Sequence, residues 1–405
     1  MKVLHIITSG RGGAAIACHR LHHLMVKNGL QSRVLHLYEG YDTEKEYFSL
    51  GYPMIRRLVN HANYLFLRKC LTPDTYVFSE PTLISSQVAK HPLVSEADVI
   101  YLHWVLGGFF SRRDFEEIAK LNKPIICFTH DMWWFTGGCH HTFDCDKFKS
   151  GCDGCPKRLR FSSLTRNQAE WKCEWYRRHP NVHLVSPSNW IKNLLEESYV
   201  IGKGRCEYIP NIVPSSIFHY IDKRKAREQL GLPQRDIIIS FGTADNKSPV
   251  KGFLYLLDAL KKLKGNQIML TIYGSALDQS ILNQINIPLK FLGRLTPENV
   301  ALANAASDVF ISPTMAESFG QTLLENIMCG TPVISTNCTA VPEIVRDGVN
   351  GVLVEPGSSE ALYVAIKNFI EHPMVIDGSI DDVFLEKSIF EKHIQLMNNM
   401  LAYKC

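Results

Sequence analysis

Lys2-Val-Leu-His-Ile-Ile-Thr-Ser-Gly-Arg-Gly-Gly-Ala-Ala15 reads as a strand, a glycine loop and a helix start in one stretch. Lys2–Thr8 is a short apolar run of the kind buried in a parallel sheet, and Ser9–Gly13 is the loop. Ala14–Asn28 has helical periodicity stopped by Gly29, and Arg33–Leu37 is the next strand. The same rhythm continues through strand-like runs at Val99–His103, Pro124–Thr129 and Val182–Ser186. Ile209-Pro-Asn-Ile-Val-Pro214 then punctuates the chain as a linker would. A second series follows at Ile237–Phe241, Ile268–Tyr273, Lys290–Leu292, Val309–Ser312 and Pro332–Ser335. The expectation is an α/β protein of two Rossmann-like doubly wound domains, with ligands at the carboxyl ends of the strands. The domains are expected at 1–208 and 209–380. A final helix in 381–405 either stays with the second domain or returns to the first.

Bulk properties agree with this division. A chain of 405 residues is too long for one ordinary core. The formal charge is only +4, yet bases outnumber acids before residue 205 and acids outnumber bases after it. A basic first half suits an anionic partner or surface. No apolar run is long enough to cross a bilayer, and the first residues form a strand and not a signal peptide. Twelve cysteines without a secretion signal point to reduced thiols in the cytoplasm.

Function is most legible in Glu317-Ser-Phe-Gly-Gln-Thr-Leu-Leu-Glu325, two carboxylates separated by seven residues around a glycine. It follows the apolar run Asp308–Pro313, and residues from Phe319 onward can form a helix. Glu317 then sits on the loop and Glu325 about two turns into the helix. The helix's first amides, including those near Gly320 and Gln321, have no intrahelical partners and suit a phosphate, with a carboxylate on either side to accept from hydroxyls. A sugar nucleotide offers that combination. Two unrelated glutamates on a surface loop and a solvated helix are the bland alternative.

Taken together with Lys251-Gly252, Gly10-Arg-Gly-Gly13 and Phe128-Thr-His130-Asp-Met-Trp-Trp-Phe-Thr-Gly-Gly-Cys139, the motif resembles retaining glycosyltransferase family 4. That family has the GT-B architecture, two such domains facing across a cleft. The His130 segment and the cysteines after it are similar to a bacterial subgroup tied to colanic-acid, capsule and O-chain assembly. The resemblance implies that Glu317 contacts hydroxyls of the donor sugar and that Glu325 grips the ribose. Ser318, Phe319, Gly320, Gln321 and Thr322 form the loop between, and Lys251 neutralises the diphosphate. Gly12 and Gly13 bring backbone amides close to the donor. The family's usual arginine after Gly242 is missing; Lys247 stands near its place, without the bidentate fork of a guanidinium.

His130 matches a family histidine beside the reacting sugar, where it would position the sugar and stabilise charge. The catalytic candidates are therefore His130 and Glu317. Asp131 could orient His130 or cap a helix; His103 and Trp104 could line the acceptor side or form a buried pair. No Asp-x-Asp sequence lies in a strand–loop context, so catalysis is expected to need no divalent ion. Gly10-x-Gly12-x-x-Ala15 with Glu39 also fits a dinucleotide fingerprint, but that reading explains nothing in the second half.

Residues 53–69 combine an apolar stripe with Arg56, Arg57, Arg68 and Lys69, and 157–178 interleave bases with Trp171, Trp175 and Tyr176. Both could rest on anionic lipid while a lipid-linked glycan enters, although a core helix explains 53–69 equally well. No nucleic-acid reader motif accompanies them. Cys139, Cys145, Cys152 and Cys155 could close a four-thiolate structural zinc site, with His140 or His141 as substitutes, or could be four free thiols or a disulfide pair. The expected protein is a cytoplasmic, peripherally membrane-associated glycosyltransferase. A nucleotide-sugar epimerase of the same fold and a non-catalytic sugar-nucleotide-binding subunit are the alternatives.

Overall fold

The computed structural model describes residues 1–38, 45–72, 78–158, 160–161, 163–243, 248–264, 267–275, 280 and 283–402. The chain divides into two compact units, Met1–Ile212 with Lys387–Cys405, and Val213–Glu386.

The first unit is built on seven parallel strands: β1 Lys2–Ile7, β2 Gln31–His36, β3 Tyr47–Ser49, β4 Val99–Leu102, β5 Ile125–Phe128, β6 Val182–Ser186 and β7 Cys206–Tyr208. Their spatial order is β3-β2-β1-β4-β5-β6-β7. β4 and β5 are buried along their whole length, as strands covered by helices on both faces must be. One apolar cluster holds Phe109, Phe110, Phe115, Trp133, Trp134 and Trp175. Another, on Val3, Leu21, Tyr101 and Phe128, receives Ile389, Leu396, Met397 and Met400 from the helix Glu386–Ala402. Ile209 and Ile212 sink into the same cluster, so the division falls after Ile212 and not after residue 208.

The second unit repeats the pattern with six parallel strands: β8 Ile237–Thr243, β9 Ile268–Gly274, β10 Leu289–Gly293, β11 Val309–Ser312, β12 Val333–Thr336 and β13 Gly351–Val354. Their order is β10-β9-β8-β11-β12-β13. In each unit the chain runs outward one way from the first strand and then starts again on its other side. That reversal opens a crevice beyond the carboxyl ends of β1 and β4, and likewise of β8 and β11.

Sequence periodicity located ten of these strands within a residue or two. It missed β3, β7 and β13, edge strands whose partial burial interrupts the apolar run. The helix begun in the opening stretch spans Gly13–Lys27, with Asn28 as its cap.

Candidate active site

In the second unit the crevice is built by two loops fastened together. Pro249–Lys251 forms a single 3-10 turn, and Gly252 follows with φ +65°, a left-handed conformation. A Cβ on Gly252 would lie 1.8 Å from the Pro313 carbonyl oxygen, so only glycine lets the loops meet this closely. The Met315 amide and the Thr314 hydroxyl donate to the Val250 carbonyl at 2.7 and 3.0 Å, closing the seam. This contact delivers Lys251 Nζ to within 2.6 Å of Glu317 Oε1, which also accepts from the Thr314 hydroxyl at 3.3 Å. The Thr339 hydroxyl accepts from the Glu317 amide at 2.9 Å.

The following helix spans Gln321–Met328, starting two residues later than the sequence suggested. Gly320, left-handed at φ +99°, caps it without a side-chain cap hydrogen bond. Ser318, Phe319, Gly320, Gln321 and Thr322 therefore occupy the turn where the positive end of the helix meets the crevice. Glu325 is buried at 6% exposure, little more than one turn into the helix. Burial makes Glu325 a carboxylate that gains from an extra hydrogen-bond donor. Lys247 lies outside the described residues, as does Glu39.

In the first unit Gly12 caps the helix Gly13–Lys27 by its backbone, again with no side-chain cap, at the carboxyl end of β1. His130 follows β5. Its Nε2 lies 2.8 Å from His103 Nδ1, and its ring stacks on Phe128 at 4.6 Å. Burial pushes the His130 pKa down to about 4, with Asp131 opposing, so the imidazole is neutral at pH 7.

Two pairs of alternatives are decided here. Asp131 does not orient His130: its Oδ2 holds His140 Nδ1 at 2.6 Å, and its Oδ1 accepts from the Trp133 amide at 2.8 Å. His103 cannot line an acceptor surface, since it is 1% exposed beneath His130. Trp104 stays half-buried, packed at 3.0 Å from where a Gly107 Cβ would lie.

What sequence reading missed is a line of imidazoles. His103 Nε2 continues to His5 Nδ1 at 3.0 Å, and burial depresses both pKa values well below the usual range. Each neutral ring donates once and accepts once, so fixing one tautomer fixes the next. His5, Cys18 and His103 bring ligand-type atoms within 4.8 Å of one another. The His5–His103 hydrogen bond uses one nitrogen of each ring, and His5 Nε2 is buried with no hydrogen-bond partner. The period of two that places His5 on β1 was the only signal available.

The basic segments also differ from expectation. The helix Met54–Cys70 leaves Met54, Ile55, Leu58, Tyr64, Leu65 and Phe66 exposed. Arg56 is buried, donating to the Ile84 carbonyl at 2.8 Å, whereas Arg57, Arg68 and Lys69 are exposed. Along Ser163–Arg178 the stripe Thr165, Gln168, Ala169, Lys172, Trp175 and Tyr176 faces inward. Arg158 is buried as well. The second lipid-facing surface thus loses two of its bases and two of its three aromatics. No helix among the described residues is long and apolar enough to cross a membrane.

Comparison with known proteins places this geometry. Residues 11–216 match the family model described as Glycosyltransferase Family 4, and residues 235–372 match Glycosyl transferases group 1. A putative colanic acid biosynthesis glycosyl transferase, WcaC of Escherichia coli K12, is 23% identical over 85% of both chains. A D-inositol 3-phosphate glycosyltransferase of Segniliparus rotundus is 27% identical over 44% of this chain and 42% of its own. Among solved structures, Anabaena HepE in complex with UDP and glucose superposes with a TM-score of 0.64 at 19% identity, covering 98% of this chain and 100% of that one. WaaG, a glycosyltransferase involved in lipopolysaccharide biosynthesis, gives 0.64 at 16% identity over 98% and 99%. The two parallel-sheet units are those of GT-B glycosyltransferases.

Proposed function

Since the chain belongs to glycosyltransferase family 4, we propose that this glycosyltransferase moves a sugar from a nucleotide-sugar donor to a growing, lipid-linked glycan with retention of configuration. The observation that carries the reading is the Lys251–Glu317 pair at 2.6 Å beside the Gly320-capped helix. A cation, a carboxylate and a helix start meet there, with Glu325 farther along the same helix, a complement to a diphosphate flanked by hydroxyls. UDP in the HepE complex supports a nucleotide donor.

With donor bound, Lys251 leaves Glu317 for the diphosphate and stabilises the charge that grows there as the glycosidic bond breaks. Glu317, freed of its ion pair, accepts from hydroxyls of the sugar, and buried Glu325 accepts from the ribose. In the first unit, neutral His130 has one ring nitrogen left to bond a sugar hydroxyl, its tautomer held by His103. Retention needs no protein nucleophile, because a leaving phosphate oxygen can take the acceptor proton on the face it departs from. Lys251 and the helix amides supply the positive charge that a divalent ion gives elsewhere, so turnover should survive chelation.

The exposed apolar face of Met54–Cys70, edged by Arg57, Arg68 and Lys69, supports attachment to an anionic membrane at a cytoplasmic face. Turnover of a panel of nucleotide sugars with lipid-linked acceptors tests the reading. Conversion of free nucleotide sugar to its epimer, without transfer, would replace it.

A further inference from the structure

Immediately beyond His130 the chain runs from Thr136 to Arg158 with little regular structure. The described elements there are one 3-10 turn, Lys147–Ser150, and bridges pairing Cys139 with Phe78 and Arg158 with Leu71. A stretch of that length inside a compact unit needs something besides backbone pairing to hold it. Cys139, Cys145, Cys152 and Cys155 come from four points along it and line one cavity, together with Lys147 and Lys157. All four are free thiols. We propose that this cavity is a structural zinc site with those four sulfurs as ligands, separate from the transfer chemistry.

The backbone around the cavity is already arranged for sulfur ligands. Cys152 and Gly154 both have positive φ, +58° and +59°, so Cys152-Asp-Gly-Cys155 folds into a tight turn that carries two sulfurs. The Gly137 amide donates to Cys152 Sγ at 3.1 Å, a contact that favours thiolate over thiol. Gly137 is required there, since a Cβ would come within 2.5 Å of the Thr165 carbonyl oxygen and 2.7 Å of Cys152 Cβ.

Charge provides the second argument. Four thiolates around zinc carry a net charge of about −2, which has to be compensated in a buried setting. Lys147 and Lys157 stand at the wall. Behind them Lys172 is 1% exposed, its Nζ donating only to the carbonyls of Trp133 and Thr136 and lying 3.6 Å from the centre of the Trp133 ring. Among the described residues no carboxylate comes within ion-pair distance of it. Cys152, Asp131 and Cys139 are the nearby groups that can carry negative charge towards this nitrogen.

No three of the sulfurs lie within 4.8 Å of one another, so the ion must draw the wall inward to close the tetrahedron. His140 is not a substitute ligand, because Asp131 and Ser79 hold its two nitrogens at 2.6 and 3.0 Å. All-sulfur ligation selects zinc or iron over harder ions, and four protein ligands leave no open position for catalysis. The site would instead fix the segment that carries His140, and through Asp131 the turn next to His130.

The test uses the full chain purified without a polyhistidine tag. Elemental analysis should find about one zinc per chain. A chelator should release it while making four more thiols reactive towards Ellman's reagent. Growth with cobalt should give the visible d–d bands and the sulfur charge-transfer band of a tetrahedral thiolate site, a readout that needs no variant to fold. Cys155→Ser and Cys145→Ser should each abolish stoichiometric metal. Zinc below about half an equivalent, with all four thiols reactive in the native protein and no tetrahedral cobalt spectrum, would overturn the proposal. Iron with inorganic sulfide at these residues would overturn the zinc assignment.

Discussion

Gly252→Ala isolates the seam that delivers Lys251 to the crevice. The substitution places alanine at φ +65°, which by itself costs about 1 kcal/mol. Its Cβ would also sit 1.8 Å from the Pro313 oxygen, so the two loops must part by well over an ångström. Parting them loosens the Met315–Val250 and Thr314–Val250 hydrogen bonds, at 2.7 and 3.0 Å. Overpacking of this kind typically adds 1–3 kcal/mol, for a total of about 2–4 kcal/mol. In a unit of this size that corresponds to a melting temperature lower by roughly 4–16 °C. Gly348→Ala is the control: it has φ +71° in the same unit, but nothing lies within 4 Å of its Cβ, so only the backbone term applies. Differential scanning calorimetry compares the two, and titration with nucleoside diphosphate should show weaker binding for Gly252→Ala alone. If both variants melt together and bind alike, the loop contact is not what positions Lys251.

Glu325→Gln should weaken nucleoside diphosphate binding by about 1–3 kcal/mol, while Glu317→Gln should mainly lower turnover; unchanged affinity in the Glu325 variant would end its assignment to the ribose. His22 and His393 are held neutral by burial down to about pH 3. The unfolded chain takes up those protons near pH 6.5, so stability is full above that value and falls on acidification by about 1.4 kcal/mol per pH unit per histidine. Urea unfolding at pH 7 and pH 5 reads this directly, and equal midpoints would contradict it. Binding to anionic vesicles should weaken with salt and with Leu58→Ser or Phe66→Ser; sedimentation with neutral vesicles to the same extent would remove the electrostatic component.

Where a segment's environment is simple, its residues announced its structure. Val182–Ser186 and Val309–Ser312 are strands with the expected bounds, because short, mostly buried apolar runs bounded by turn residues suit a covered parallel sheet. The Glu317 loop and Lys251 could be named from sequence, but their 2.6 Å contact depends on a glycine packed against a carbonyl sixty-one residues away, which no local pattern records. Asp131 stayed ambiguous because its neighbour in sequence, His130, is not its partner in space; His140 is. Lys172 misled by residue type. A lysine on the Thr165–Tyr176 stripe reads as surface charge, yet the helix turns that stripe into the core, where carbonyls and an indole face take the ammonium. Tertiary contact decided each of these.

The helix Glu386–Ala402 completes the first unit, but residues 213–386 intervene before it. On a ribosome adding 5–20 residues per second, that interval lasts roughly 10–35 s. During it, Val3, Leu21, Tyr101 and Phe128 present an uncovered apolar face while the second unit can already fold around its own strands. The order of folding thus inverts the order of synthesis. The part of the chain made first is the part finished last, and its nascent form is the natural client for a chaperone that shields hydrophobic surface.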